Sequence, residues 1–147
     1  MIPEIHFRFL KIDIMQFAMI EEAFKEIKFE IKTNLQMELL PEIKALRVVP
    51  TIHFIQGTAP FIILQTENIF SLDSKSWERL LNKNILKMPK GFLQHVSFLS
   101  IGAMRGILHV KTEKTRFNHI VLPTININEI VNDDVAFQIE QVAKQQD

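Results

Sequence analysis

The sequence predicts an α+β fold: a four-stranded antiparallel sheet, then a long helix and a C-terminal helix, in a single domain spanning residues 1–147. Three observations predict it. Apolar and polar residues alternate through much of residues 5–70, as they do along strands with one dry face and one wet face. The period then changes toward 3.6 over residues 92–111, where Phe92, Val96, Leu99, Ala103, Ile107 and Val110 recur at helical spacing. Strands come first and helices after, which is the order of a segregated α+β chain rather than a doubly wound one.

The first strand runs from Ile5 through Phe7 and Phe9 and on through Ile12 and Ile14. Residues 17–24 are apolar without a clean period, which suits a short helix or a crossover loop. The clearest alternation follows, with Ile27, Phe29, Ile31, Leu35, Met37 and Leu39 on one face and Lys28, Glu30, Lys32, Asn34, Gln36 and Glu38 on the other. A turn at Pro41-Glu42 leads to a third strand at residues 43–56. Pro50 inside that strand has no N–H to give a ladder, which predicts an edge or a bulge there. A turn at residues 56–60 leads to a fourth strand at residues 61–70.

Residues 74–84, around Trp77, Leu80 and Leu81, read as a short helix or an irregular excursion. Met88-Pro89-Lys90-Gly91 punctuates before the long helix. Residues 112–118 read as a polar turn and 119–125 as extended. Asn126 with Glu129 three residues on forms a capping-box signature, with Ile125 and Ile130 at the staple positions. That start predicts a last helix through Val131, Val135, Phe137, Ile139 and Val142.

Composition narrows the function classes. Seventeen basic and seventeen acidic residues balance, so the electrostatic footprint of a nucleic-acid binder is missing. There is no cysteine, hence no disulfide framework and no thiolate site, which fits a reducing cytoplasm. The N-terminus shows no signal-peptide pattern, and charges interrupt every long apolar run, so no membrane insertion is expected. Twelve Phe and no Tyr favour dry contacts and leave material for an apolar surface as well as a core.

The candidate chemistry is thin. His6, His53, His95, His109 and His119 form no metal-binding pair, and the spacings favour structural or surface roles. Glu21-Glu22 and Asp133-Asp134 are adjacent pairs, which do not face each other on a helix, and read as solvated charge. Lys111-Thr-Glu-Lys-Thr-Arg116 reads as a solvated turn. Gly102 and Gly106 give a GxxxG spacing that suits either packing on the domain's own sheet or a helix–helix subunit contact. Phe17, Met19, Ile20 and Phe24 suit either core packing or a groove for apolar partners, since Met and Phe adapt without demanding hydrogen bonds.

Three segments, in order and spacing, resemble the SecB chaperone family. They are residues 42–54 with 61–72, the run Ser100-Ile-Gly-Ala-Met-Arg-Gly-Ile-Leu108, and Leu122-Pro-Thr-Ile-Asn-Ile-Asn-Glu-Ile130. The resemblance implies a Greek-key sheet, a homotetramer built as a dimer of dimers, and ATP-independent holding of unfolded polypeptide clients without catalysis, metal or cofactor. It implies a polypeptide-binding region at Phe17, Met19, Ile20 and Phe24 and at Ile127, Val131 and Val135. It also implies an oligomer interface at Leu99, Gly102, Ala103 and Gly106 of the long helix. Family members that serve protein export present carboxylates on the sheet to the SecA motor, whereas here strand 61–70 offers only Glu67. Other SecB-like proteins serve toxin–antitoxin pairs. A carrier of small hydrophobic ligands is the rival reading of the same Phe-rich chain.

Overall fold

The computed structural model describes residues 4–25 and 28–139. Its main sheet holds β1 (Phe7–Met19), β2 (Glu30–Leu40), β3 (Ala45–Gln56) and β4 (Ala59–Leu72), in the spatial order β1-β4-β3-β2 with every pair antiparallel. Strands β2, β3 and β4 follow one another by short turns. The β3–β4 hairpin closes with Gln56 opposite Ala59, so two residues make its tip, and Gly57 takes the positive φ of 62° that such tips require. The segment after β1 crosses from one edge of the sheet to the other, through a 3-10 turn at Glu21–Ala23. Three hairpin-linked strands plus one joined by a long connection is the Greek-key arrangement.

β1 explains its own irregularity. Phe7, Phe9, Phe17 and Met19 are odd-numbered, while Ile12 and Ile14 are even-numbered, so an unbroken strand would point them to opposite faces. Register shifts between Phe9 and Lys11 and between Ile14 and Gln16 reset the parity. All six then stand opposite the inward row of β4: Leu72, Phe70, Asn68, Thr66, Leu64 and Ile62. β1 also runs to Met19, five residues past the expected end at Ile14, and takes in the first three residues of the expected crossover at 17–24.

The inner face packs under α2 (Lys90–Lys111). Leu46, Val48, Ile52, Phe54, Phe61 and Phe70 meet Leu93, Val96, Ile101, Met104 and Leu108 in one buried cluster, joined by Phe117 and Leu122. Arg105 ties the segment after the helix back to it, donating from Nε to the Leu122 carbonyl at 2.8 Å and from Nη2 to the Pro123 carbonyl at 3.1 Å. One buried side-chain acceptor among the described residues lacks a partner: the Oδ1 of Asn68, whose Nδ2 donates to the Val48 carbonyl and to Thr66.

The outer face is wet. Glu38, Arg47, Glu67, Lys11 and Asp13 form a chain of ion pairs that crosses all four strands. Asp13 at 2.9 Å and, more weakly, Glu67 hold the Lys11 amine above its ordinary pKa.

Of three expectations, two are corrected and one is narrowed to a single alternative. Pro50 lies in β3, an interior strand, directly opposite Leu35 and without a bulge. The β3–β4 ladder passes from Val48↔Asn68 to Thr51↔Gln65 in one register, and the Asn68 amide bonds Val48 beside the rung that proline cannot make. Second, of the two alternatives at residues 74–84 the short helix forms, as α1 (Ser74–Leu80), capped by Asp73, and it is followed by the start of a hairpin made by β5 (Leu81–Asn82) and β6 (Ile85–Met88). Third, the last helix is only α3 (Ile127–Ile130), and the chain continues into β7 (Val135–Gln138), antiparallel to β6. Asn132-Asp133-Asp134 intervenes, and such residues bond backbone groups locally in preference to extending a helix. Asp134 accepts the Lys90 N–H at 2.7 Å and so caps α2, a use that the reading of a solvated acidic pair missed. The Asn126 side chain makes no cap bond, so the capping box does not form. Ile27 and the expected helix end at Val142 lie outside the described residues.

Candidate apolar binding surface

A four-stranded sheet is about 14 Å from outer strand to outer strand, whereas a helix with its side chains spans roughly 10–12 Å. One helix therefore leaves part of the sheet uncovered. α2 lies over the two inner strands, β3 and β4. The apolar rows of β1 and β2 flank it on either side.

On the β1 side an apolar groove of about 530 Å³ runs between Ile12 and Ile14 on the strand and Ala103, Gly106, Ile107 and Val110 on the helix. Lys111 closes one end, with its amine 5.9 Å from the centre of the Phe17 ring. Ile12 and Ile14 remain 44% and 42% exposed despite pointing to the core side of the sheet. On the β2 side a second groove of about 260 Å³ lies among Leu35, Met37, Leu93, Ile130, Val131 and Val135, with Asp133 at its rim.

The outer face of α2 is unusual for a helix facing water. His95, Phe98, Gly102, Gly106 and Val110 are exposed, with Phe98 at 64% and Val110 at 62%. Between the terminal Lys90 and Lys111 the helix carries one charged residue, Arg105, and that one is turned to the Leu122 and Pro123 carbonyls. His109 is exposed there as well, so the face is uncharged and carries large apolar side chains, where a water-facing helix normally carries charge. Among the described residues a Cβ placed on Gly102 or Gly106 meets nothing within 4 Å, so none of them demands glycine at either position.

The residues expected from sequence fall in different places. Phe17 and Met19 are half-buried on β1, opposite Leu64 and Ile62. Ile20 is exposed beyond the strand end, where its N–H donates to the Phe61 carbonyl at 2.8 Å. Phe24 is half-buried, with its ring centre 4.8 Å from that of Phe61 and 5.2 Å from that of Phe117. Ile127 and Val131 are buried in the core cluster, and Val135 is exposed on β7. Of the expected interface residues, Gly102 and Gly106 are exposed and Leu99 and Ala103 half-buried. Ala103 and Gly106 line the β1-side groove, and Val131 and Val135 the β2-side groove. The signal for Ile12, Ile14 and Val110 was present in the parity break along β1 and the uncharged outer face of α2.

Among the described residues no three His, Cys, Asp or Glu come together as a metal site would require. No described helix is long and apolar enough to cross a membrane. Comparison with protein-family models, curated proteins and solved structures returned no match. The fold and this surface define an α+β protein with an open, one-sided sheet and apolar grooves on both flanks of its long helix.

Proposed function

We propose that this chain is a SecB-like holding chaperone, which binds non-native polypeptides by apolar contact and main-chain pairing, without ATP and without a reaction step. One observation carries the reading: a single helix over four strands leaves apolar grooves along both β1 and β2. Such grooves accept side chains of varied shape, because Ile, Leu, Met and Val impose no hydrogen-bond geometry. β1 and β2 are also the sheet edges, so an extended client can add main-chain hydrogen bonds beside either groove.

Assembly belongs to the same proposal. The apolar outer face of α2, with exposed Phe98 and Val110 and two glycines between them, suits a second helix approaching closely. A tetramer in the manner of a dimer of dimers would present several grooves to one client and raise the effective concentration of each later contact.

Delivery to an export motor through sheet carboxylates is the weaker branch. Glu67 is shared by Arg47 and Lys11, and Glu38 and Asp13 are paired to the same two cations. These three carboxylates of the outer face are thus already paired with cations. The test is direct: a fluorescently labelled, reduced and unfolded polypeptide should show raised anisotropy with this protein in the absence of nucleotide. The same polypeptide when folded should show none. Equal binding of both, or of neither, rejects the proposal.

A further inference from the structure

Arg116 makes a concentrated set of contacts far from its own neighbourhood in sequence. Its guanidinium carbon lies 4.9 Å from the centre of the Phe24 ring and 5.0 Å from that of Phe117. Its Nη2 donates to the Glu21 carbonyl at 3.0 Å and to the Phe24 carbonyl at 3.4 Å. Both carbonyls belong to the 3-10 turn that follows β1 and its C-cap. One exposed side chain on the loop after α2 thus grips the turn that carries Phe24.

Beneath the grip is an aromatic slot. Phe24 packs tilted against Phe61 and edge-on against Phe117, which lie 5.6 Å apart and are themselves fully buried. Phe54 extends the cluster behind Phe61 at 6.2 Å. Phe24 is the half-buried member that enters from the surface. The turn that carries it belongs to no sheet, and its main chain is anchored to the sheet by the Ile20 N–H on the Phe61 carbonyl and by the Lys25 N–H on the Gln56 Oε1 at 2.6 Å. Elements with few buried contacts are the ones that open at low cost.

We infer that Phe24 is an internal occupant of a binding slot for aromatic side chains, and that Arg116 is the clasp that keeps it there. The inference rests on the polypeptide-binding reading and specifies one contact of it. A phenylalanine of a non-native client is chemically the same as the ring already in place, so it competes for Phe61 and Phe117 only when the clasp yields. The guanidinium then caps the incoming ring as it caps Phe24, because a cation over an aromatic face does not depend on which chain supplies the ring.

The experiment compares two labelled, unstructured peptides that differ only in carrying Phe or Ala at one central position. Each is titrated by anisotropy into the wild-type protein, Arg116→Gln and Phe24→Ala. Far-ultraviolet circular dichroism and thermal midpoint check folding. Weakening two exposed cation–π contacts and the backbone hydrogen bonds should tighten Arg116→Gln for the Phe peptide by about five- to tenfold while leaving the Ala peptide unchanged. Phe24→Ala, which empties the slot, should show the same selectivity. Should Phe24→Ala fail to fold, Arg116→Gln alone decides, since its side chain is exposed and touches the core only at the face of the Phe117 ring. If wild type binds both peptides and a folded Arg116→Gln binds the Phe peptide no more tightly, the clasp is refuted while the polypeptide-binding reading stands. If neither protein binds either peptide, both fall.

Discussion

Arg47 and Glu67 join neighbouring strands of the sheet, the arginine Nε donating to the carboxylate from β3 to β4. Both side chains are mostly covered, at 22% and 17% exposure, so the pair is screened less than the exposed Lys11–Asp13 contact beside it. Replacing Arg47 by Met leaves Glu67 with only Lys11 at 3.6 Å. The variant should lose about 1.5–3 kcal/mol of stability, the usual cost of a hydrogen bond to a charged group. Urea denaturation measures it, and an unchanged midpoint would mean that the ion chain across the outer face is decoration.

Gly102 and Gly106 test the role of the α2 outer face. Among the described residues an alanine at either site meets nothing, and should stabilise the helix by roughly 0.5–1 kcal/mol relative to glycine. If another backbone seats there, bulk is what matters. Light scattering should find the wild type at a multiple of its 17.2 kDa chain mass, and the double variant Gly102→Leu, Gly106→Leu at a lower mass with its circular dichroism preserved. A wild type at chain mass, or a double variant of unchanged mass, counts against the interface.

The β1-side groove and the core beneath it separate by mutation. Ile12→Asp and Ile14→Asp place charge where the side chains are already more than two-fifths exposed, so the fold should survive while client binding weakens. Phe61→Ala removes a fully buried ring and should cost about 3–5 kcal/mol. Thermal melts and client anisotropy on the three variants give both readouts. Unfolding of Ile12→Asp would reassign that strip to the core.

Asp73 gives a pH signature. Its carboxylate accepts the Ser76 N–H at 2.8 Å at the start of α1, and hydrogen bonding from the Ser76 side chain first and from this N–H second holds its pKa below the ordinary 3.8. A carboxyl lowered by folding contributes stability that is complete above its unfolded pKa and is lost as pH falls through the folded one. Asp73→Ala should therefore melt below wild type at neutral pH, and the gap should close as pH drops below 3.8. A gap that stays constant well into acid would assign the effect to packing instead of charge.

Much of the fold was readable because period and sign of hydropathy decide it. The alternation at Ile31, Leu35, Met37 and Leu39 is an inward row of β2, and the recurrence from Phe92 to Val110 is α2. The misreadings have local causes. At Asn126 the capping signature was present, but Asn132-Asp133-Asp134 outweighed it, and Asp134 found the N-terminus of α2, forty-four residues back in the chain. No window of sequence contains that partner. Pro50 suggests an edge or a bulge because proline lacks an N–H; the Asn68 side chain, on a different strand, supplies a bond that sequence alone does not reveal. The candidate site was half visible. Phe17, Met19, Ile20 and Phe24 were singled out, and the first two and Phe24 are half-buried against the core. The grooves needed the sheet width and the helix diameter together, a comparison made only once the helix was seen to cover β3 and β4.

The central claim is that this chain holds non-native polypeptide on its uncovered apolar surface without a reaction. Light scattering during dilution of a chemically unfolded client into buffer, with this protein at equal molar amount and no nucleotide present, tests it most directly. The account predicts that aggregation is suppressed in proportion to the protein added, and that Ile12→Asp with Ile14→Asp removes most of the effect. Aggregation that proceeds unchanged at stoichiometric protein would contradict it.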